Sequence, residues 1–160
     1  MRIFEEKQAF RQWWLVLILS GILVVTGLSF FIGFTGFQTE NLKYLGYIAV
    51  LFIITMFWII RLHTRIDNSG IRTSFEPFGI FKKSFKWNDI SKCYVRKYSP
   101  IREYGGWGIK GFNNPKAFNV SGNIGIQIIT KDDKRFLIGT NKPKEAQRVI
   151  KRYQEKNKLK

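Results

Sequence analysis

The chain has 160 residues, 27 Lys and Arg against 11 Asp and Glu for a net charge of +16, and a single Cys and a single His. Those counts exclude a disulfide framework and a Cys/His metal site, and no cofactor is expected. The excess charge points to acidic partners or a negative surface, and the length suffices for one small domain beside an apolar segment.

The leader, residues 1–12, is of mixed charge, with Arg2, Glu5, Glu6, Lys7 and Arg11. No charged residue then occurs from 13 to 39. Residues 13–34 read as a helix about 33 Å long, near the roughly 30 Å of a bilayer's hydrocarbon layer. Residues 44–60 read as a second, about 26 Å long, which Arg61 would extend by snorkelling. The mixed leader and the long apolar run argue against a cleaved signal peptide, whose core is about 7–15 residues. The short connector 35–43 predicts a transmembrane hairpin over 13–62, with Ser29 and Gly33 at small-xxx-small spacing. Lys43 is the connector's lone basic residue, whereas Arg2, Lys7 and Arg11 precede the hairpin and Arg61, Arg65 and Arg72 follow its second helix. The positive-inside rule then places both termini and the C-terminal domain in the cytoplasm, the chain being integral to the inner membrane. Trp13, Trp14, Trp58 and Arg61 are the expected membrane-interface anchors, with Tyr44 and Tyr47 at the opposite face.

Residues 63–160 form the expected cytoplasmic domain, and from 61 onward 23 Lys and Arg face 8 Asp and Glu. Such charge favours anionic lipid headgroups. Nucleic acid is disfavoured because no helix-turn-helix, zinc-finger or RNP-like pattern accompanies it. The pattern turns to period two, with strands ending at Ile66, over 71–76, 81–87, 90–98, 117–120, 124–130 and 135–140, and turns at Asn68, Ser69 and Gly70, at Asn88 and Asp89, and at 131–134. In the 81–87 run, Phe81, Phe85 and Trp87 fall on one face and Lys82 and Lys86 on the other. Ala146, Val149, Ile150 and Tyr153 then recur at i, i+3, i+4 and i+7, predicting an amphipathic helix capped near Thr140 or Asn141. Cys93 fits a buried strand position, and the sequon Asn119-Val120-Ser121 would be idle in the cytoplasm.

Ile66-Asp67 with Gly70-Ile71, Trp87-Asn88-Asp89-Ile90, the run 94–109 and Leu137-Ile138-Gly139-Thr140 together resemble the bacterial pleckstrin-homology-like (PH-like) membrane proteins. The resemblance covers about residues 62–158. It implies an α+β architecture: a β-roll of about seven antiparallel strands closed by a C-terminal helix, set after two membrane helices. It implies neither catalytic residues nor a ligand.

Gly106, Gly108 and Gly111 satisfy the dinucleotide fingerprint G-x-G-x-x-G, but Phe112, Asn113, Asn114 and Pro115 follow where a helix is required. Asp132 and Asp133 have the chemistry of a turn. With no base placed near a Ser or Cys nucleophile, no catalytic residue and no small-molecule substrate are expected. The aperiodic segment 98–112 is the candidate site. Tyr98, Arg102, Tyr104, Trp107 and Lys110 either make a partner-binding loop or fold inward as core. The expected function is a non-enzymatic binding or scaffolding module for a protein segment or a second copy, by strand addition at an open sheet edge. The alternative is a sensor of anionic lipid headgroups through Lys82, Lys83 and Lys86.

Overall fold

The computed structural model describes residues 3–10, 12–32, 40–77, 79, 81–111 and 115–158, with backbone alone at 29–32, 40–43 and 157–158. The chain divides into two units, Met1–Ala9 with Arg61–Lys160, and Phe10–Ile60.

The second unit is helical. Helices α1 (Trp13–Ile32) and α2 (Glu40–Ile59) contain no proline and are dominated by Leu, Ile, Val and Phe. Two threonine hydroxyls are absorbed by the helices themselves: Thr26 donates to the Ile22 carbonyl and Thr55 to that of Leu51, each at 2.7 Å. Phe10 meets Phe57 edge-on at 5.7 Å. Leu15 and Leu19 line a cavity of about 160 Å³ with Ile54 and Phe57, so the start of α1 lies beside the end of α2 and the pair is antiparallel. Large apolar side chains such as Leu17, Leu45 and Phe52 stay exposed.

The other unit is built from two sheets. Strands β1 (Phe4–Ala9), β2 (Arg61–Asp67), β3 (Gly70–Glu76) and β4 (Lys82–Lys86) pair antiparallel in chain order. The second sheet has the order β5 (Ile90–Lys97), β8 (Ile124–Thr130), β9 (Arg135–Gly139), β7 (Lys116–Asn119) and β6 (Gly108–Lys110). Its β7–β9 pair is parallel and the others antiparallel. A short helix α3 (Pro100–Tyr104) follows β5, and α4 (Pro143–Lys158) ends the described chain.

Period-two patterning sets the first sheet's faces. Phe4 pairs with Ile66, Ile66 with Ile71 and Ile71 with Phe85 along one inward row. Glu5, Arg65 and Arg72 form a charged row on the other face. Between the sheets Phe118 contacts Phe75 at 5.3 Å and Phe136 at 5.0 Å, while Phe136 meets Phe85 at 5.1 Å. Such aromatic pairs add about 0.5–1.5 kcal/mol each beyond their burial. On α4, the Ala146, Val149, Ile150 and Tyr153 stripe is buried, and Tyr153 stacks on Trp87 at 5.5 Å. Each large apolar side chain removed from water in this way contributes about 1.5–3 kcal/mol.

The β2–β3 turn is organised by Asp67. Its carboxylate accepts the Ser69 N–H at 2.9 Å, the Ser69 hydroxyl and the Arg72 guanidinium, with Arg65 at 3.3 Å. Burial alone would raise its pKa, but the hydrogen bonds from Ser69 and Arg72 outweigh that and hold it down at about 2. Its carbonyl accepts the Trp87 indole N–H at 2.8 Å, tying the turn to the junction between the sheets. Gly70 is required here: its φ is +146°, and a Cβ would lie 2.0 Å from the Phe85 carbonyl oxygen.

Several expectations need correction. Among the described residues no helix is long and apolar enough to cross a membrane. Helix α2 opens on Glu40, Asn41 and Lys43, so its apolar part begins at Tyr44, and 44–59 rises about 24 Å, short of the roughly 30 Å required. The transmembrane hairpin, the integral inner-membrane localisation and the cytoplasmic assignment of both termini built on it are therefore not supported. Nor is the seven-stranded antiparallel roll the fold: among the described residues nine strands in two sheets, one pair parallel, make a mixed α+β architecture. The leader is not a separate element, because Phe4–Ala9 pairs residue for residue with β2. Glu6 and Gln8 are buried there, Glu6 accepting the Thr140 hydroxyl at 2.6 Å and the Asn141 N–H at 2.8 Å. Phe81 lies before β4 and is exposed, whereas Trp87 is buried. Gly33, most of the connector 35–43, Arg2, Arg11 and Phe112–Asn114 lie outside the described residues.

Candidate functional site

The segment 98–110 is held to the second sheet at both ends by Asn119, which is buried at the end of β7. Its amide donates to the Tyr98 hydroxyl at 3.0 Å, and its oxygen accepts the Gly108 N–H at 2.9 Å. Tyr98 is buried against Ala117 and Leu137, with Tyr104 packed edge-on at 5.9 Å. Burial raises both phenols above their ordinary pKa. Arg96 grips Glu103 by both guanidinium nitrogens, at 3.2 and 2.6 Å, while Glu103 also accepts the Ser99 N–H at 2.8 Å. The Arg96 hydrogen bond pulls the Glu103 pKa down, and Glu103 raises that of Arg96.

Of the five residues singled out in this segment, Tyr98 is core and Tyr104 packs on it. Trp107 is half-buried, its indole N–H donating to the Gly122 carbonyl at 3.1 Å. Arg102 is exposed and Lys110 half-buried. Asn119 and the Arg96–Glu103 clamp escaped sequence reasoning; Asn119 was visible only as a sequon. The fingerprint glycines are backbone devices: Gly111 has φ +77°, and a Cβ there would sit 2.2 Å from the Pro115 carbonyl oxygen.

The proposed headgroup residues, Lys82, Lys83 and Lys86, lie exposed on β4, the outer strand of the first sheet, and make no ion pair among the described residues. Arg61 opens β2, opposite Ala9 and Glu76, while Trp13 and Trp58 are exposed and Trp14 lies at the margin of exposure. His63 lies between carboxylates, Nε2 at 2.8 Å from Glu5 and Nδ1 at 2.9 Å from Glu76. Cys93 is buried, and burial pushes its thiol up to about 12, which keeps it from being a thiolate at neutral pH.

A better-formed concavity lies elsewhere. A groove of about 640 Å³ runs along β5 beneath α4, lined by Trp87, Ile90, Lys92, Tyr94, Lys131 and Gln154 among others. Among the described residues strand β5 pairs with β8 alone, which leaves its other side as a sheet edge. Gln154 donates to the Cys93 carbonyl at 3.0 Å, side-chain amide standing in for a neighbouring strand at that point. No protein-family model matches the chain, and no curated protein is similar to it in sequence.

Proposed function

We propose that the two-sheet unit is a non-enzymatic binding module that takes an extended protein segment as an added strand on the outer edge of β5. The observation that carries this reading is the coincidence of the groove with that edge. Strand addition draws its affinity from main-chain hydrogen bonds and its selectivity from flanking side-chain pockets. The remaining edges suit it less. Strand β4 is guarded by three lysines, β6 is three residues long, and β1 is tied through Glu6 and Gln8 to Thr140, Asn141 and Gly139. Lys92 and Lys131 favour carboxylates on the incoming segment, and Tyr94 and Ile90 favour apolar side chains between them.

The test is selection of a linear-peptide library on the full chain. Selected peptides should slow hydrogen exchange in β5 and lose about tenfold or more in affinity to Lys92→Glu with Tyr94→Asp. Peptides that protect residues 102–110 instead would overturn the assignment of the edge. Concentration-dependent dimerisation abolished by the same two substitutions would identify the segment as a second copy of this chain.

A further inference from the structure

We infer that α4, with Ile3 just before β1, forms an anion site for a ligand presenting two or more phosphate groups. A cavity of about 380 Å³ is lined by Ile3, Lys144, Glu145, Arg148, Val149 and Arg152. Lys144, Arg148 and Arg152 recur every four residues, which places them on one side of the helix over about 12 Å. All three are exposed and none makes an ion pair among the described residues. On the same helix Lys151, which does not line the cavity, is instead within 4.0 Å of Glu155. Against the three cations the cavity presents one carboxylate, Glu145.

Helix stabilisation does not account for this stripe. Lys144 stands in the first turn of α4, where the helix macrodipole disfavours a cation. Guanidinium forks suit phosphate because two parallel N–H groups meet two oxygens. A row about 12 Å long exceeds the reach of one phosphate, which is why the ligand is assigned at least two. The exposed Ile3 and the neighbouring Val149 give an apolar surface for its organic part, and the volume falls within the range of small-ligand sites. One polyphosphorylated small molecule and adjacent phospholipid headgroups share this chemistry.

The experiment uses the full chain and two probes: pyrophosphate titrated at constant ionic strength against chloride, and flotation with phosphatidylglycerol-containing vesicles against pure phosphatidylcholine vesicles. Pyrophosphate should bind and raise the melting temperature, with Arg148→Gln and Arg152→Gln each weakening it about tenfold. If pyrophosphate has no effect but phosphatidylglycerol increases vesicle capture, and Arg148→Gln combined with Arg152→Gln removes that increase, the site takes headgroups. The triple change Lys82→Gln, Lys83→Gln and Lys86→Gln is the control and should leave both signals intact. Unchanged binding in the α4 variant, an equal loss in the β4 control, or no response to either probe would overturn the inference. None of these substitutions touches the β5 edge, so peptide capture there succeeds or fails independently.

Discussion

The two units use apolar residues in opposite ways. In the two-sheet unit large side chains such as Leu62, Ile126, Leu137 and Tyr153 are almost wholly buried, and every ion pair found among the described residues lies there. In the helical unit Leu17, Leu45, Phe52 and Trp58 are exposed, and the Thr26 and Thr55 hydroxyls are spent on backbone carbonyls of their own helices. The first unit is therefore stabilised by contacts with itself. Apolar substitutions should be costly in one unit and nearly silent in the other.

The largest effect should come from Tyr153, which is 2 % exposed and stacks on Trp87 beneath α4. Tyr153→Ala should cost about 3–5 kcal/mol, as for other buried aromatics, in chemical denaturation of the full chain. Leu45→Ala, at a side chain 67 % exposed in α2, should change stability by less than about 0.5 kcal/mol. Comparable losses at both positions would erase the contrast. Glu6 sharpens it from the leader's side: Glu6→Ala strips the partner from the Thr140 hydroxyl and the Asn141 N–H and should cost about 2–3 kcal/mol. A neutral result would detach β1 from the sheet's energetics.

What the sequence made legible follows the same division. The runs that became β2 and β3 were readable because each hides one face, β8 and β9 because short apolar runs between turn residues mark strands buried on both faces, and the α4 stripe because four apolar residues recur at helical spacing in a polar background. Strand β1 was not, because its inward positions include Glu6 and Gln8, and a buried carboxylate looks like a solvated one until its partners, more than 130 residues away, are known. The parallel β7–β9 pairing left no local mark either. In segment 98–110 the aromatics were noticed, but their direction was set by Asn119 and Glu103, polar residues that no apolar period reveals. The β5 groove was invisible for a related reason: an open edge is a property of strand order.

Acid should act on the two-sheet unit at the Asp67 turn. A carboxylate held at about 2, below its ordinary 3.8, stabilises the fold above its unfolded pKa, and that contribution fades as pH falls from about 4 towards 2. Denaturation midpoints followed across this range should decline, and Asp67→Asn should flatten this part of the decline while lowering stability at neutral pH. A slope identical in the two proteins would remove Asp67 from the acid response.

Within the two-sheet unit the smallest loss of stability should fall at half-buried Trp107. Its indole makes a hydrogen bond to the Gly122 carbonyl, and one such bond with partial burial supports a loss of about 1–2 kcal/mol for Trp107→Ala. Tyr98→Ala in the same segment removes a core aromatic and should cost about 3–5 kcal/mol. That ordering is a test of which part of 98–110 is core. If Trp107→Ala proved as damaging as Tyr98→Ala, the indole would be a plug and the whole segment structural. If Trp107→Ala left stability unchanged but abolished peptide capture, the binding surface would extend from the β5 edge to this loop, and the site would have to be redrawn around Arg102 and Lys110.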